Sequence, residues 1–104
     1  MGAHLMADEV IDARGRVLQL RKLSVLDRLR LFEAAGAELS RNDRWLGLAV
    51  LAASVGAIDG VPVPLPASKA GIEAAVQRLD EAGLAAVAAG LQPEPGFDRA
   101  LAGN

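Results

Sequence analysis

Apolar positions recur at Val25, Leu29, Phe32 and Gly36, the i, i+4, i+7, i+11 spacing of one helical face, and Leu39 carries the stripe a further turn. Asp27, Arg30 and Ala34 fall on the opposite side of that wheel. Ser24, with Asp27 three residues later, forms an acidic variant of the capping box and sets the helix start. A second stripe of the same spacing, Ile72, Val76, Leu79 and Gly83, follows a capping Ser68 and is flanked by Glu73, Gln77 and Asp80. Gly83 interrupts it, and Leu84, Val87, Ala88 and Leu91 predict a short fourth helix or a kinked continuation. The shared spacing is helical geometry and does not establish an internal repeat.

Between the two stripes, Asn42 or Asp43 caps an uncharged run from Trp45 to Ile58 that reads as one helix. Its small residues Gly47, Ala49, Ala52, Ala53, Ser54, Gly56 and Ala57 fall all round the wheel. A helix apolar on every side is central in its domain or lies between subunits, and a chain this short has few helices to surround it. Ahead of the helices, Val10-Ile11-Asp12 and Val17 to Arg21 flank Ala13-Arg14-Gly15-Arg16, a hairpin in which Gly15 supplies a positive φ. Leu18 and Leu20 share one face of it, and that face must pack on helices or the strands must pair with another sheet edge. After Ile58, Asp59-Gly60 is a turn, and Pro62, Pro64 and Pro66 force extended geometry. This segment reads as a stiff spacer rather than a proline-rich ligand.

These patterns predict a mainly α fold: a small domain of three to four helices preceded by an N-terminal β-hairpin. Residues 1–7 read as cloning residue or a disordered start ahead of a native Met6, with His4 an artefact; 8–91 form a single helical domain; 92–104 form a flexible tail containing proline and glycine, opened by the helix-breaking Gln92-Pro93-Glu94-Pro95-Gly96.

Composition narrows the chemistry. The chain is 52% apolar but has only three aromatic residues, Phe32, Trp45 and Phe97, so its core is built from small aliphatic side chains. With no cysteine, thiolate metal sites, disulfides and cysteine redox chemistry are excluded, and an intracellular setting is the easier reading. The stretch from Trp45 to Ile58 is too short to cross the roughly 30 Å hydrocarbon core of a bilayer, so no membrane partner is expected. The net charge of −2 exerts no strong pull on nucleic acid. It is unevenly spread: the segment from Arg14 to Arg44 holds eight basic and four acidic residues, net +4, and the remainder three basic and nine acidic, net −6. That segregation favours self-complementarity within or between subunits over nucleic-acid binding. No aromatic residues interleave with the arginines to stack on bases.

Nucleophilic catalysis finds no candidates, because threonine and tyrosine are absent too and Ser24, Ser40 and Ser68 sit where helices start or end. Ser54, inside the apolar run, most simply bonds back to the carbonyl four residues earlier. Asp8-Glu9, Asp80-Glu81 and Asp59 occupy predicted surface and lack both the burial that tunes an acid pair and the oxygen-ligand spacing of a calcium loop. Gly56, Gly60 and Gly71 lack the spacing and lysine of a phosphate loop. No enzyme activity, cofactor or metal is expected.

The succession from Gly15 to Leu23, Asp27-Arg28-Leu29-Arg30-Leu31-Phe32, Asn42-Asp43-Arg44-Trp45-Leu46-Gly47, Ile58-Asp59-Gly60-Val61-Pro62-Val63-Pro64, and Ile72-Glu73-Ala74 through Arg78-Leu79-Asp80 resembles small phage and prophage tail assembly chaperones, over about Val10 to Leu91. The resemblance implies a largely helical, non-enzymatic protein encoded before the tape measure protein, which it binds and keeps soluble while tail tube protein assembles around it. It also implies a cytoplasmic location in a bacterial host and absence from the mature virion. Such families often have a short form and a frameshifted long form, and the break at Pro93 to Pro95 fits the end of a short form. Trp45, Leu46, Leu48, Leu51 and Val55, with Leu18 and Leu20 of the hairpin, are the expected protein-interaction residues, and a homo-oligomer is expected. The alternatives are a small DNA-binding or regulatory module using residues 14–44, or a minor structural tail protein.

Overall fold

The computed structural model describes residues 8–91; the expectations for residues 1–7 and for the tail 92–104 lie outside them. The chain runs β1 (Glu9–Ile11), β2 (Val17–Leu20), α1 (Val25–Leu39), α2 (Asp43–Ala53), β3 (Val55–Ile58), β4 (Val61–Pro62) and α3 (Lys69–Gly90). The strands pair antiparallel in the order β1-β2-β3-β4. Among the described residues, three helices and a four-stranded sheet make an α+β fold, which corrects the expectation of a mainly α domain with one lone hairpin.

The correction arises where α2 ends. The uncharged run from Trp45 is helical only to Ala53, and the Ser54 hydroxyl donates to the Val50 carbonyl at 2.7 Å. Asp59 and Gly60 both take positive φ, 50° and 83°, the backbone of a two-residue hairpin turn, so the residues on either side must be strands. The alanine and glycine of Val55-Gly56-Ala57-Ile58 hide that strand among helix formers. The Asp59 carboxylate accepts the Val17 N–H at 2.8 Å and its own N–H donates to the Val17 carbonyl at 2.8 Å, which pins the turn to β2. Pro62 is tolerated because β4 is an edge strand.

In register, Leu18 lies between Val10 of β1 and Ile58 of β3, and Leu20 opposite Val55, with an irregularity between Gln19 and Leu20. Leu18 and Leu20 therefore share the face that meets the helices. There Leu18, Ala52, Val55, Leu79 and Val87 form one buried cluster, and Leu23, Leu31, Ala49, Ala53 and Ile72 a second, with Val76 packed against both. Ala49, Ala52 and Ala53 let α2 lie close to α3, in keeping with a core of small aliphatics.

α1 breaks at Gly36 (φ 87°) and α3 at Asp80 (φ 59°, ψ −173°), so the segment after Leu79 is a kinked continuation, kinked three residues before Gly83. The Asp80 conformation is nearly reserved for glycine, and holding it costs about 1–3 kcal/mol. Arg16 offsets the break. Its guanidinium donates to the carbonyls of Arg78 at 2.9 Å and Leu79 at 2.8 Å, immediately before the kink. Gly83 leaves the room: a Cβ there would lie 3.3 Å from the Arg16 guanidinium and 2.9 Å from the Leu79 Cβ. Arg16 is held in turn by Asp12, whose side chain is fully buried and whose carboxylate accepts from Arg16 Nε at 2.7 Å and from the N–H groups of Arg14 and Arg16 at 2.9 Å each. A second arginine works the same way. Arg21 donates to the carbonyls of Ala53 at 2.8 Å and of Val55 and Val63 at 2.9 Å, closing the C-terminal end of α2 and fixing the start of the proline segment.

Burial pushes the Asp12 carboxyl up, but the hydrogen bonds from Arg16 and Arg14 and the Arg16 charge outweigh it and leave the group below its ordinary value. Asp27 is also lowered, by the Ser24 N–H and hydroxyl of the capping box. A carboxylate lowered in the folded state contributes stability that is present above the unfolded value, about 4, and lost as pH falls through the folded value. The urea midpoint is therefore expected to hold from pH 7 to about 5 and fall below about 4, with a shallower fall in Asp12→Asn. Arg16→Ala, measured by urea denaturation at pH 7, is expected to cost about 1–3 kcal/mol, because it leaves a buried carboxylate and two carbonyls short of partners. Asp80→Gly is expected to gain about 1 kcal/mol by relieving the strained φ.

Candidate functional site

α2 and α3 pack through alanines at their centre, and where their larger side chains diverge they leave an open groove. Trp45 and Leu48 of α2 form one wall; Ile72, Glu73, Val76 and Gln77 of α3 form the other. Asn42 starts α2 by accepting the Trp45 N–H at 3.0 Å, which fixes the indole one turn inside the helix. Ile72 at the base is 1% exposed, whereas Leu48 on the rim is 43% exposed. Glu73 and Gln77 sit at i and i+4 along the far rim. The groove can take up apolar side chains and offers an amide and a carboxylate at its edge.

Of the seven residues singled out from sequence, the groove unites two, Trp45 and Leu48. Leu46 is half-buried elsewhere on α2. Leu18 and Val55 are buried in the cluster between sheet and helices, where Leu20 and Leu51 pack half-buried against them. These four hold the sheet to the helices.

Sequence reasoning marked the stripe on α1 without assigning it a partner, and this is where the structure leaves most apolar surface. α1 packs inward through Leu31 and Ala35. Val25, Leu26, Leu29 and Phe32 face outward, Val25 at 78% exposure. The equivalent stripe on α3 turns inward instead, with Ile72, Leu79 and Gly83 all buried. The sequence signal was available: α1 carries two apolar faces, and a domain of this size covers one.

A cleft beneath the proline segment, lined by Ala52, Val55, Pro64, Ala74 and Leu79 among others, measures 160 Å³. That is below the roughly 300 Å³ of a small-molecule site. Among the described residues no group of three or more His, Cys, Asp or Glu gathers as a metal site, and no helix is long and apolar enough to cross a membrane. No family model, no curated protein and no solved structure matches the chain.

Proposed function

We propose that this protein is a non-enzymatic phage tail assembly chaperone. It binds the tape measure protein in the bacterial cytoplasm, keeps it soluble, promotes assembly of tail tube protein around it, and leaves before the virion is complete. The observation that supports this most directly is the apolar groove joining Trp45 and Leu48 of α2 to Ile72 and Val76 of α3. Its walls fall within or beside Asn42 to Gly47 and Ile72 to Asp80, two of the successions that resemble that family.

A long helical client exposes apolar side chains at i, i+3, i+4 and i+7, and an apolar groove receives such anchors. Trp45 gives the groove a large aromatic contact of the kind that dominates binding energy, and Leu48 extends it to the rim. Shallow, open contacts of this type release a client when a stronger partner arrives, as tube assembly requires. The use of Arg16 and Arg21 on internal carbonyls speaks against the DNA-binding alternative, because it withdraws two of the eight cations in residues 14–44 from any phosphate surface.

Coexpression of the chain with the neighbouring long coiled-coil gene product is expected to move that product into the soluble fraction. Leu48→Asp alone, on the exposed rim, and Trp45→Ala with Leu48→Asp are both expected to return it to the pellet while the variants themselves stay soluble and helical by circular dichroism. Unchanged solubility of the client with folded variants would remove the groove from the account. Retention of the wild-type chain on DNA that falls steeply with salt would favour the DNA-binding reading instead.

A further inference from the structure

We propose that the outward face of α1 is a self-association surface on which two copies of the chain pair α1 against α1, parallel and in register. The regular part of α1 runs from Val25 to Ala35, before the break at Gly36, and it displays Val25, Leu29 and Phe32 at the 4,3 spacing of a two-helix seam. Two charged side chains flank the seam: Arg28, immediately before Leu29, and Glu33, immediately after Phe32. Both are exposed, and neither makes a side-chain hydrogen bond or ion pair among the described residues.

Their spacing selects the partner. In a parallel pair, the residue preceding one seam position faces the residue five places further on in the second helix, so Arg28 of each copy meets Glu33 of the other, twice by symmetry. An antiparallel pair sets each flank against its own kind, Arg28 toward Arg28 and Glu33 toward Glu33. Of the inward residues, Leu31 lies well round the wheel from this seam and Ala35, one heptad after Arg28, sits on its flank, so the buried face borders the contact without forming it. Eleven regular residues span about 16 Å, so the seam falls short of the roughly 800 Å² per partner typical of a stable interface. The association is therefore reversible and concentration-dependent. This pairing is independent of the client reading; if both hold, the dimer presents two grooves to one extended client.

Sedimentation velocity of the full chain, from low to high micromolar concentration, is expected to show a monomer–dimer equilibrium that Leu29→Asp abolishes. Arg28→Glu and Glu33→Arg are each expected to weaken it at least about fivefold, and the double exchange to restore it, because both cross-copy pairs re-form with reversed sign. All three positions are exposed, so the variants fold, as circular dichroism checks. A chain that stays monomeric throughout, a dimer indifferent to Leu29→Asp, or a double exchange no better than the singles would each overturn the proposal. So would Leu29→Asp releasing the tape measure from a chain that is monomeric to begin with, since the face would then belong to the client.

Discussion

A single buried carboxylate organises this fold. Asp12 closes the β1–β2 turn by accepting two backbone N–H groups and, through its other oxygen, fixes the guanidinium of Arg16. Arg16 in turn reaches across to the carbonyls of Arg78 and Leu79, immediately before the kink of α3. Turn, sheet and the longest helix are thereby tied at one point, and the kink lets the second half of α3 continue over the sheet so that Val87 joins Leu18 and Val55 in the core. The charge on Asp12 is tolerable only because three donors converge on it, and the strain at Asp80 persists only because the surrounding bonds enforce it.

Two arginines thus act inward, while an apolar helix face points outward. Arg16 and Arg21 would read on a charge map as part of a cationic surface, yet each donates to carbonyls at the ends and breaks of secondary structure. Val25, Leu26, Leu29 and Phe32 lie outside although they are the kind of residue that fills a core. Contiguous apolar surface of that sort on a small domain is the ground for the self-association proposed above.

The sequence made several elements plain because their signals are local. Ser24 with Asp27, Asn42 before Trp45 and Ser68 before Gly71 all cap as expected, and Gly15 turns the first hairpin. What stayed hidden depends on distant partners. Val55 to Ile58 is a strand only because β2 supplies an edge for it, and its small residues look like the end of α2. The identical spacing of the α1 and α3 stripes says that each has an apolar face but not which one the sheet and α2 cover. Of the candidate site, Trp45 and Leu48 were legible as a large aromatic and a leucine on an uncharged helix. Ile72 and Val76, which complete the groove, were readable only as a helical stripe, and Leu18 and Val55 are buried where a second hairpin completes the sheet.

The groove between α2 and α3, and not the arginine-bearing sheet end, is the proposed seat of a helical client. Chemical-shift mapping of the ¹⁵N-labelled chain, titrated with a helical segment of the tape measure protein, tests it residue by residue. A client in the groove is expected to shift the Trp45 indole N–H, Leu48 and Ile72 to Gln77, with the amides of β1 and β2 unmoved. Shifts gathered on residues 12–21 with the groove silent would contradict it.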